Sequence, residues 1–278
     1  MDDEAIRQSV APARVVSVRG GERREQRDTL VVEEPLEIRA AGPGQEAVRV
    51  AVTMRTPGHD FELAAGFLIT EGLVAPDQVQ MVAYCEDPDA QRYNVVTVRT
   101  RSEFVLGAAE RHFFATSSCG ICGKAALEAI TVRCPVVTDP VTISEAVVSG
   151  LPDTLRDRQR LFGKTGGLHA AGLFTACGER EVVREDVGRH NAVDKVVGAR
   201  ALGTIVGDGQ VLLVSGRLSF EIVQKAAVAG IPIICAISAP SNLAVAAAHE
   251  LGVTAVGFLR SDGFNVYSHP QRILPTNG

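Results

Sequence analysis

The sequence predicts a mixed α/β protein, α+β overall, built in two parts. Up to about residue 113, apolar residues recur mainly at every second position, which is the spacing of half-buried strands. From about residue 114, buried strand signals alternate with helix signals, which is typical of a sheet with at least partly parallel pairing. We therefore divide the chain into a strand-rich domain with one helix, residues 1–113, and an α/β domain, residues 114–278.

The first domain begins with a polar, arginine-rich stretch that ends near residue 28, and we expect it to be a loose arm. Alternation over residues 48–54 predicts a strand, and the β-branched run at residues 95–98 predicts another. Between them, residues 59–70 are predicted to be helical, with Gly72 as the stop signal. The apolar stripe of this helix consists of Phe61, Leu63, Ala64, Phe67 and Leu68.

In the second domain the helix and strand signals alternate. Residues 124–132 are predicted to be helical, Thr142 with Glu145 forms a capping box for a second helix, and Pro152 marks the first turn of a third. Buried strands are predicted at 210–215, 231–237 and 253–258, and helices at 220–229 and 243–251. The two helices end at Gly230 and Gly252, which is the usual place for a helix-terminating glycine.

Composition excludes several classes of protein. The 278 residues include 33 acidic and 28 basic side chains, a net charge of −5, so no nucleic-acid partner is expected. There is no apolar run of about 18 residues, so no membrane helix is expected. The acidic first ten residues lack the apolar core of a secretory signal. Together with six cysteines in a long chain, this predicts a cytoplasmic protein with reduced thiols.

The strongest chemical signal is a pair of cysteines, Cys119 and Cys122, in a Ser- and Gly-rich turn before a predicted helix. Helix N-terminal amides and the neighbouring Lys124 both stabilise a thiolate. The glycines on either side would allow a bulky partner to approach the sulfur. Such a thiolate is suited to be a nucleophile, a sulfur carrier, a redox partner or a metal ligand.

The residues alone leave these alternatives open. A structural zinc site usually needs four ligands, and a second C-x-x-C or H-x-x-H is absent from the sequence. A thioredoxin-like pair would follow a strand, and Phe113 and Phe114 do precede the turn. Two ordinary loop cysteines are the third alternative. The remaining cysteines stand alone in the sequence and are predicted to be packing residues: Cys85, Cys134, Cys177 and Cys235.

Polar residues follow each of the last three predicted strands, in the segments 215–219, 238–242 and 260–263. Because ligands of open α/β sheets bind at the carboxyl ends of strands, we predict a site there for a phosphate-bearing ligand. Helix caps and surface turns explain the Ser and Asn residues equally well. They do not explain Arg217 and Arg260.

Two histidines lie in polar segments of this domain. His169 is in the segment 165–171 and His190 is in the segment 184–195. A lone histidine is more often a hydrogen-bonded structural group than a catalytic one. For His190, an ion network with Glu185 and Asp186 that holds a loop is a further alternative.

Taken in order, these motifs resemble the FdhD family of sulfur carriers for formate dehydrogenase maturation. The resemblance covers almost the whole chain from about residue 30, and the ordered set is specific although each motif alone is weak. The matching segments are Thr56-Pro57-Gly58, Glu62-Leu63, Gly66-Phe67-Leu68, Glu71-Gly72, Ser118-Cys119-Gly120-Ile121-Cys122-Gly123, Gly167-Leu168-His169, Glu185-Asp186-Val187-Gly188-Arg189-His190-Asn191-Ala192, Ser215-Gly216-Arg217, Pro240-Ser241 and Gly257-Phe258-Leu259-Arg260.

The resemblance implies a specific chemistry. Such proteins accept persulfide sulfur from a cysteine desulfurase and pass it to a molybdenum or tungsten bis-pterin guanine dinucleotide cofactor, the bound substrate, before its insertion into the catalytic subunit of formate dehydrogenase. Cys119 would carry the persulfide, with Cys122 as its partner, and no permanently bound metal is expected. The strand-end residues are then candidates for binding the cofactor, molybdenum bis(molybdopterin guanine dinucleotide): Phe258, Leu259, Arg260, Ser261, Asp262, Gly263, Arg217, Ser238 and His169.

The resemblance also implies a C-terminal, cytidine-deaminase-like three-layer domain after a smaller N-terminal one, and a homodimer. Deaminase chemistry itself is disfavoured. Zinc deaminases use H-x-E followed by P-C-x-x-C, whereas His169 is followed by two alanines and Ser118 precedes Cys119. Two alternative functions remain from other classes: a zinc-binding hydrolase of the deaminase fold, and a guanine-nucleotide-binding chaperone without sulfur chemistry.

Overall fold

The computed structural model describes residues 9–85, 94–106, 136–204 and 209–276, and it has the mixed α/β architecture that the sequence predicts. The predicted boundary between residues 113 and 114 and the predicted helix at 124–132 lie outside the described residues. The described elements up to residue 106 are β1 (Val10–Arg19), β2 (Glu22–Val31), β3 (Glu34–Ala41), β4 (Val48–Arg55), α1 (Asp60–Thr70), a 3₁₀ turn at Pro76–Gln78, β5 (Val79–Tyr84) and β6 (Val95–Thr100).

Four of these strands form a sheet in the order β4-β3-β6-β5, in which β3 and β6 are parallel and the other pairs are antiparallel. Helix α1 packs on this sheet through Leu63 and Leu68, against Ile38 and Val96. The helix and the strands β4 and β6 are where the sequence predicts them. Phe61 differs from the prediction, because it lies at the surface against Tyr84 rather than in the apolar stripe.

The prediction of a loose arm is wrong for those residues of the segment that the structure describes. β1 and β2 form an antiparallel hairpin whose register runs from Val10 opposite Val31 to Arg19 opposite Glu22. The turn between them is Gly20-Gly21, and both glycines have positive φ angles, 58° and 85°. Hairpin turns of this kind need positive φ at both central residues, which glycine adopts without strain. Because the segment is rich in arginine, its sequence looks like that of a polar arm. The paired glycines of the turn and the valines of β1 are the signals of a hairpin that this richness conceals.

The remaining elements build a second, larger sheet with its helices. They are β7 (Ile143–Ser144), α2 (Glu145–Arg156), a single helical turn α3 (Phe162–Thr165), β8 (His169–Phe174), β9 (Arg180–Asp186), α4 (Arg189–Ala201), β10 (Val211–Val214), α5 (Phe220–Val228), β11 (Ile233–Ala236), α6 (Asn242–Glu250), β12 (Thr254–Arg260), β13 (Gly263–Val266), a 3₁₀ turn at Pro270–Arg272, and β14 (Ile273–Leu274).

The large sheet has six strands in the order β13-β12-β11-β10-β8-β9, and β10, β11 and β12 are parallel, as the alternating signals predict. Helices cover both of its faces. In β10, Val211 and Leu213 pack with α2, whereas Leu212 and Val214 pack with α4, α5 and α6. This alternation makes three layers and buries both sides of every central strand. Within the described ranges, no helix combines the length and the apolar composition that a membrane span requires.

Two predictions about α2 are wrong. Its N-cap is Ser144, whose side chain accepts a hydrogen bond from the amide of Val147, so Thr142 does not begin the helix. Pro152 lies inside α2 rather than at the start of another helix. Serine competes with threonine as an N-cap at a distance of two residues, and the sequence pattern does not separate them. Strand β9 and helix α4 were not predicted, because polar residues dominate those segments, and the short apolar strand β8 was not predicted either.

Candidate functional site

The candidate site lies at the carboxyl edge of the parallel strands. β8 runs antiparallel to β10, with Ala171 opposite Val214, so the start of β8 meets the end of β10. The amide of Ser215 donates to the carbonyl of Ala170 (2.9 Å), and the amide of Ala170 donates to the Ser215 hydroxyl (2.9 Å). His169, which begins β8, is therefore held at the edge where the strand-end loops meet.

Backbone hydrogen bonds join the three strand-end loops. The amide of Leu218 donates to the carbonyl of Ala239 (3.1 Å), and the amide of Ser241 donates to the carbonyl of Leu218 (2.9 Å). The amide of Phe258 donates to the carbonyl of Ser238 (3.1 Å). Residues predicted from three separate strands therefore form one continuous surface, which a sequence cannot show.

A residue that the sequence analysis did not select, Arg189, belongs to this surface. A Cβ atom added at Gly216 would lie 3.4 Å from His169 Nδ1 and 3.7 Å from Arg189 Cβ, so both side chains lie close to Gly216. Arg189 opens α4, and its buried Nε has no hydrogen-bond partner in the described part of the chain. Burial lowers the pKa of His169, and the positive charges of Arg189 and His190 lower it further, so its imidazole is neutral at neutral pH.

The two selected arginines differ in their surroundings. Arg217 is exposed, and its guanidinium makes no hydrogen bond or ion pair with the residues that the structure describes. Arg260 donates from Nη1 to the carbonyls of Ile237 (2.5 Å) and Leu259 (2.8 Å). Arg217 is therefore available to an anion, whereas Arg260 is partly committed to holding the loop.

The segment 258–263 presents a mixed surface. Phe258 is 47% exposed and has a φ of 53°, a left-handed conformation that is strained for an aromatic residue and often marks a functional position. Leu259 is fully buried in the core under α2, so only its backbone is available to a ligand. The remaining three members are exposed at the turn between β12 and β13: Ser261, Asp262 and Gly263.

Helix capping explains one of the strand-end serines and leaves another unexplained. Ser241 caps α6 by accepting a hydrogen bond from the amide of Ala244 (3.1 Å). Ser219, at the start of α5, makes no capping hydrogen bond, and its buried hydroxyl has no partner in the described residues. His190 Nε2 lies 2.7 Å from Glu221 Oε2 in α5, and the close imidazole lowers the pKa of Glu221.

The alternative in which His190 forms an ion network with Glu185 and Asp186 is wrong, because His190 pairs with Glu221 instead. Asp186 forms a fully buried ion pair with Lys195 (2.7 Å). Glu185 accepts hydrogen bonds from the amides of α3 and the residue before it. Glu185 and Asp186, which precede α4, therefore hold the backbone near the site in place, and their carboxylates do not face the site.

Cys119 and Cys122 lie outside the described residues, as does Cys134. Among the described cysteines, Cys235 is buried in β11, and burial raises the pKa of its thiol to about 12. It is therefore protonated and unreactive at neutral pH. Cys85 is half-buried and Cys177 is exposed. No three His, Cys, Asp or Glu side chains of the described ranges form a metal-binding group.

A mixed sheet with helices on both faces and polar loops beyond its parallel strands makes this a three-layer α/β protein, a class in which ligands commonly bind at strand ends. The chain matches the model of the FdhD/NarQ family over residues 31–274, and it belongs to that family.

Curated relatives carry the name "Sulfur carrier protein FdhD". The protein of Streptomyces avermitilis is 52% identical over 271 residues, which is 94% of each chain. The protein of Thermoplasma acidophilum is 43% identical over 249 residues, 89% of this chain and 88% of its own. A crystal structure from Desulfotalea psychrophila, described as a candidate formate dehydrogenase accessory protein, has a TM-score of 0.72 and 27% identity, and covers 95% of this chain and 99% of its own.

Proposed function

We propose that this protein is a sulfur carrier that prepares the cofactor of formate dehydrogenase. The single observation that carries the cofactor half of this proposal is the continuous strand-end surface, which brings His169, Arg217, Ser238 and Phe258 together. The name shared by its relatives supports the sulfur half. The cofactor is the substrate, a molybdenum or tungsten bis-pterin guanine dinucleotide.

In the first step, the thiolate of Cys119 attacks the outer sulfur of a persulfide on a cysteine desulfurase. The sulfur–sulfur bond of the donor breaks, the donor cysteine leaves as a thiolate, and Cys119 becomes a persulfide. In the second step, the thiolate of Cys122 attacks the inner sulfur and closes a disulfide with Cys119. The outer sulfur leaves with the bonding electron pair as sulfide and is taken up by the metal of the cofactor.

The strand-end surface supplies the groups that such a cofactor needs. The free guanidinium of Arg217 suits a phosphate, because arginine binds phosphates with two parallel hydrogen bonds. Phe258 offers an exposed aromatic ring on which a guanine base can stack. His169 is neutral and half-buried, so it serves as a hydrogen-bonding group rather than as a cation.

The proposal also includes partners and a compartment. A cysteine desulfurase supplies the sulfur, and the catalytic subunit of formate dehydrogenase receives the sulfurated cofactor. The protein acts as a homodimer in the cytoplasm, where thiols stay reduced and persulfide exchange is favoured.

One experiment tests both halves. The full chain is incubated with a cysteine desulfurase and cysteine, analysed by mass spectrometry, and then assayed for activation of formate dehydrogenase. We expect the wild-type chain to gain one sulfur atom and the Cys119→Ala variant to gain none and to activate nothing. The matched control is Cys177→Ala, which removes an exposed cysteine outside the proposed chemistry and is expected to keep the adduct and the activation.

The variant Arg217→Gln separates sulfur loading from cofactor handling. It is expected to gain the sulfur normally but to lose about tenfold in activation, because its charged hydrogen bond to the cofactor is missing. Activation that survives in Cys119→Ala would rule out the persulfide role. A double variant of both cysteines that still binds GDP and activates the enzyme would support the nucleotide-binding chaperone instead. Zinc that is bound through both cysteines, in an amount equal to that of the protein chain, would support the zinc hydrolase.

A further inference from the structure

A second concave surface lies along β9, away from the strand-end loops. It is a cleft of about 320 Å³, and none of the strand-end candidates lines it. The lining residues come from the loop before α1, the segment after α2, strand β9, the middle of α4 and the residue Thr204 after it. The charged and histidine side chains among them are His59, Arg158, Arg160, Arg180, Glu181, Arg184, Glu185 and Lys195.

Three of these side chains carry positive charge and form no ion pair within the described residues. Arg158 and Arg160 are exposed, Arg180 is half-buried, and none of the three makes a hydrogen bond or ion pair through its guanidinium with the described part of the chain. Single unpaired arginines are ordinary on a convex surface. Three of them around one cleft concentrate positive potential there, because the low-dielectric walls focus the field.

The other charged groups of the cleft are already paired. Arg184 donates two hydrogen bonds to Glu62, and His59 Nδ1 lies 3.3 Å from the same carboxylate. Lys195 forms its ion pair with Asp186. Glu185 accepts hydrogen bonds from backbone amides, including that of Phe162 at 2.8 Å. Of these groups, only Glu185 has no ion pair, so its negative charge counts against the three arginines.

Glu181 also carries a negative charge that opposes the three arginines of the cleft. Its two carboxylate oxygens are buried, and neither has a hydrogen-bond partner within the described ranges. With Glu185, it gives two carboxylates without an ion pair against three unpaired guanidinium groups, so the cleft keeps an excess of one positive charge. An anion is therefore attracted to the cleft, and its oxygens can be shared among the three guanidinium groups.

We propose that the β9 cleft binds a pyrophosphate group, either free or as part of a nucleotide. Guanidinium groups match phosphate oxygens in geometry and keep their charge at all physiological pH values. The volume of about 320 Å³ is that of a site for one small ligand. An extended acidic peptide fits less well, because its side chains on one face are about 7 Å apart and would spread beyond the cleft. This inference does not depend on the sulfur-carrier role.

The test is calorimetric titration of the full chain with pyrophosphate. We expect the wild-type chain to bind pyrophosphate at a site whose affinity falls about tenfold in Arg160→Gln and in Arg180→Gln but not in Arg217→Gln, which alters the strand-end surface. Glu181→Gln should raise the affinity by about threefold, because it removes the opposing charge. The matched control is Arg49→Gln, the same change of charge at an exposed site on β4, which is expected to leave binding unchanged.

The proposal is wrong if the wild-type chain does not bind pyrophosphate, or if Arg49→Gln weakens binding as much as the cleft variants do. Tighter binding of hexaglutamate than of pyrophosphate would assign the cleft to an acidic peptide and would also overturn it. A titration with GDP identifies the source of the group. A GDP affinity that exceeds that of pyrophosphate and falls in Arg160→Gln and Arg180→Gln indicates a nucleotide, and an equal or lower GDP affinity indicates the free anion.

Discussion

Individual charged residues at the junction of the two sheets are buried in pairs, and Glu62 is the clearest case. Arg184 donates to its carboxylate from Nε and Nη2 at 2.5 and 2.6 Å. Burial by itself would raise the pKa of Glu62, but the hydrogen bonds from Arg184 and His59 outweigh burial and lower it to about 2. A side chain in α1 is thereby joined to a side chain in β9.

This lowered pKa predicts a specific acid sensitivity. Because the folded pKa lies below the ordinary value of 4.5, the stabilisation is complete above pH 4.5 and is lost as the pH falls towards 2. We expect Glu62→Gln to lower the free energy of unfolding at pH 7 by about 3 kcal/mol. The variant should lose less further stability than the wild type between pH 7 and about pH 3.5. Urea unfolding at the two pH values measures both.

The control for this prediction is Glu46→Gln, which changes an exposed carboxylate in the same way. It should behave like the wild type at both pH values. Equal losses between the two pH values in Glu62→Gln and in the wild type would show that Glu62 is not the group that titrates.

Among the elements, the crossing of α1 and α4 decides how the two sheets meet. A Cβ atom added at Gly66 of α1 would lie 1.8 Å from the carbonyl oxygen of Asp194, and one added at Gly198 of α4 would lie 1.8 Å from that of Glu62. Each glycine therefore allows the backbone of the other helix to approach. Larger side chains would force the helices apart and break the contacts around them.

We expect Gly66→Ala to lower the free energy of unfolding by about 3 kcal/mol or more, because the added methyl group meets backbone that cannot move aside cheaply. Gly150→Ala is the matched control, since Gly150 lies inside α2 and a Cβ there meets nothing within 4 Å. That change should stabilise the protein by about 0.5–1 kcal/mol, because alanine is the better helix former. Chemical denaturation compares them, and similar effects of both changes would contradict a close helix crossing.

Across the whole molecule, buried polar groups connect the two sheets. Lys195 pairs with Asp186 and also donates to the carbonyl of Thr56 (3.0 Å), next to β4. Lys225 of α5 donates to Asp194 (2.9 Å) and to Thr70 at the end of α1 (2.8 Å). If one sheet separated from the other, these groups would lose partners that they need when buried.

We therefore expect the protein to unfold in one cooperative transition rather than sheet by sheet. Scanning calorimetry should give equal calorimetric and van't Hoff enthalpies. Lys195→Met should lower the stability of the whole molecule by about 3–5 kcal/mol, because it leaves Asp186 buried without its partner. Two separate transitions in the wild type, or a variant in which only one of two transitions moves, would show that the sheets unfold independently.

Much of the architecture could be predicted from local patterns. The helix after Pro57-Gly58, the strands β10 to β12 and the helices between them follow from apolar periodicity and stop signals at glycines. The segments that failed share a property. In β9 and α4, polar side chains such as Asp194 and Lys195 are buried because they pair with polar groups of other elements. Their burial therefore leaves no apolar pattern in the sequence.

The sequence alone was sufficient for the family, the mixed fold and the order of the motifs, because these depend on residue types read along the chain. The tertiary structure decided which of those motifs meet. It brought His169 to the strand-end loops, added Arg189 to them, buried the side chain of Leu259, and revealed the arginine cleft along β9. The physical reason is that hydrogen-bonded register and helix crossings join residues far apart in the chain, and no local pattern records those distances.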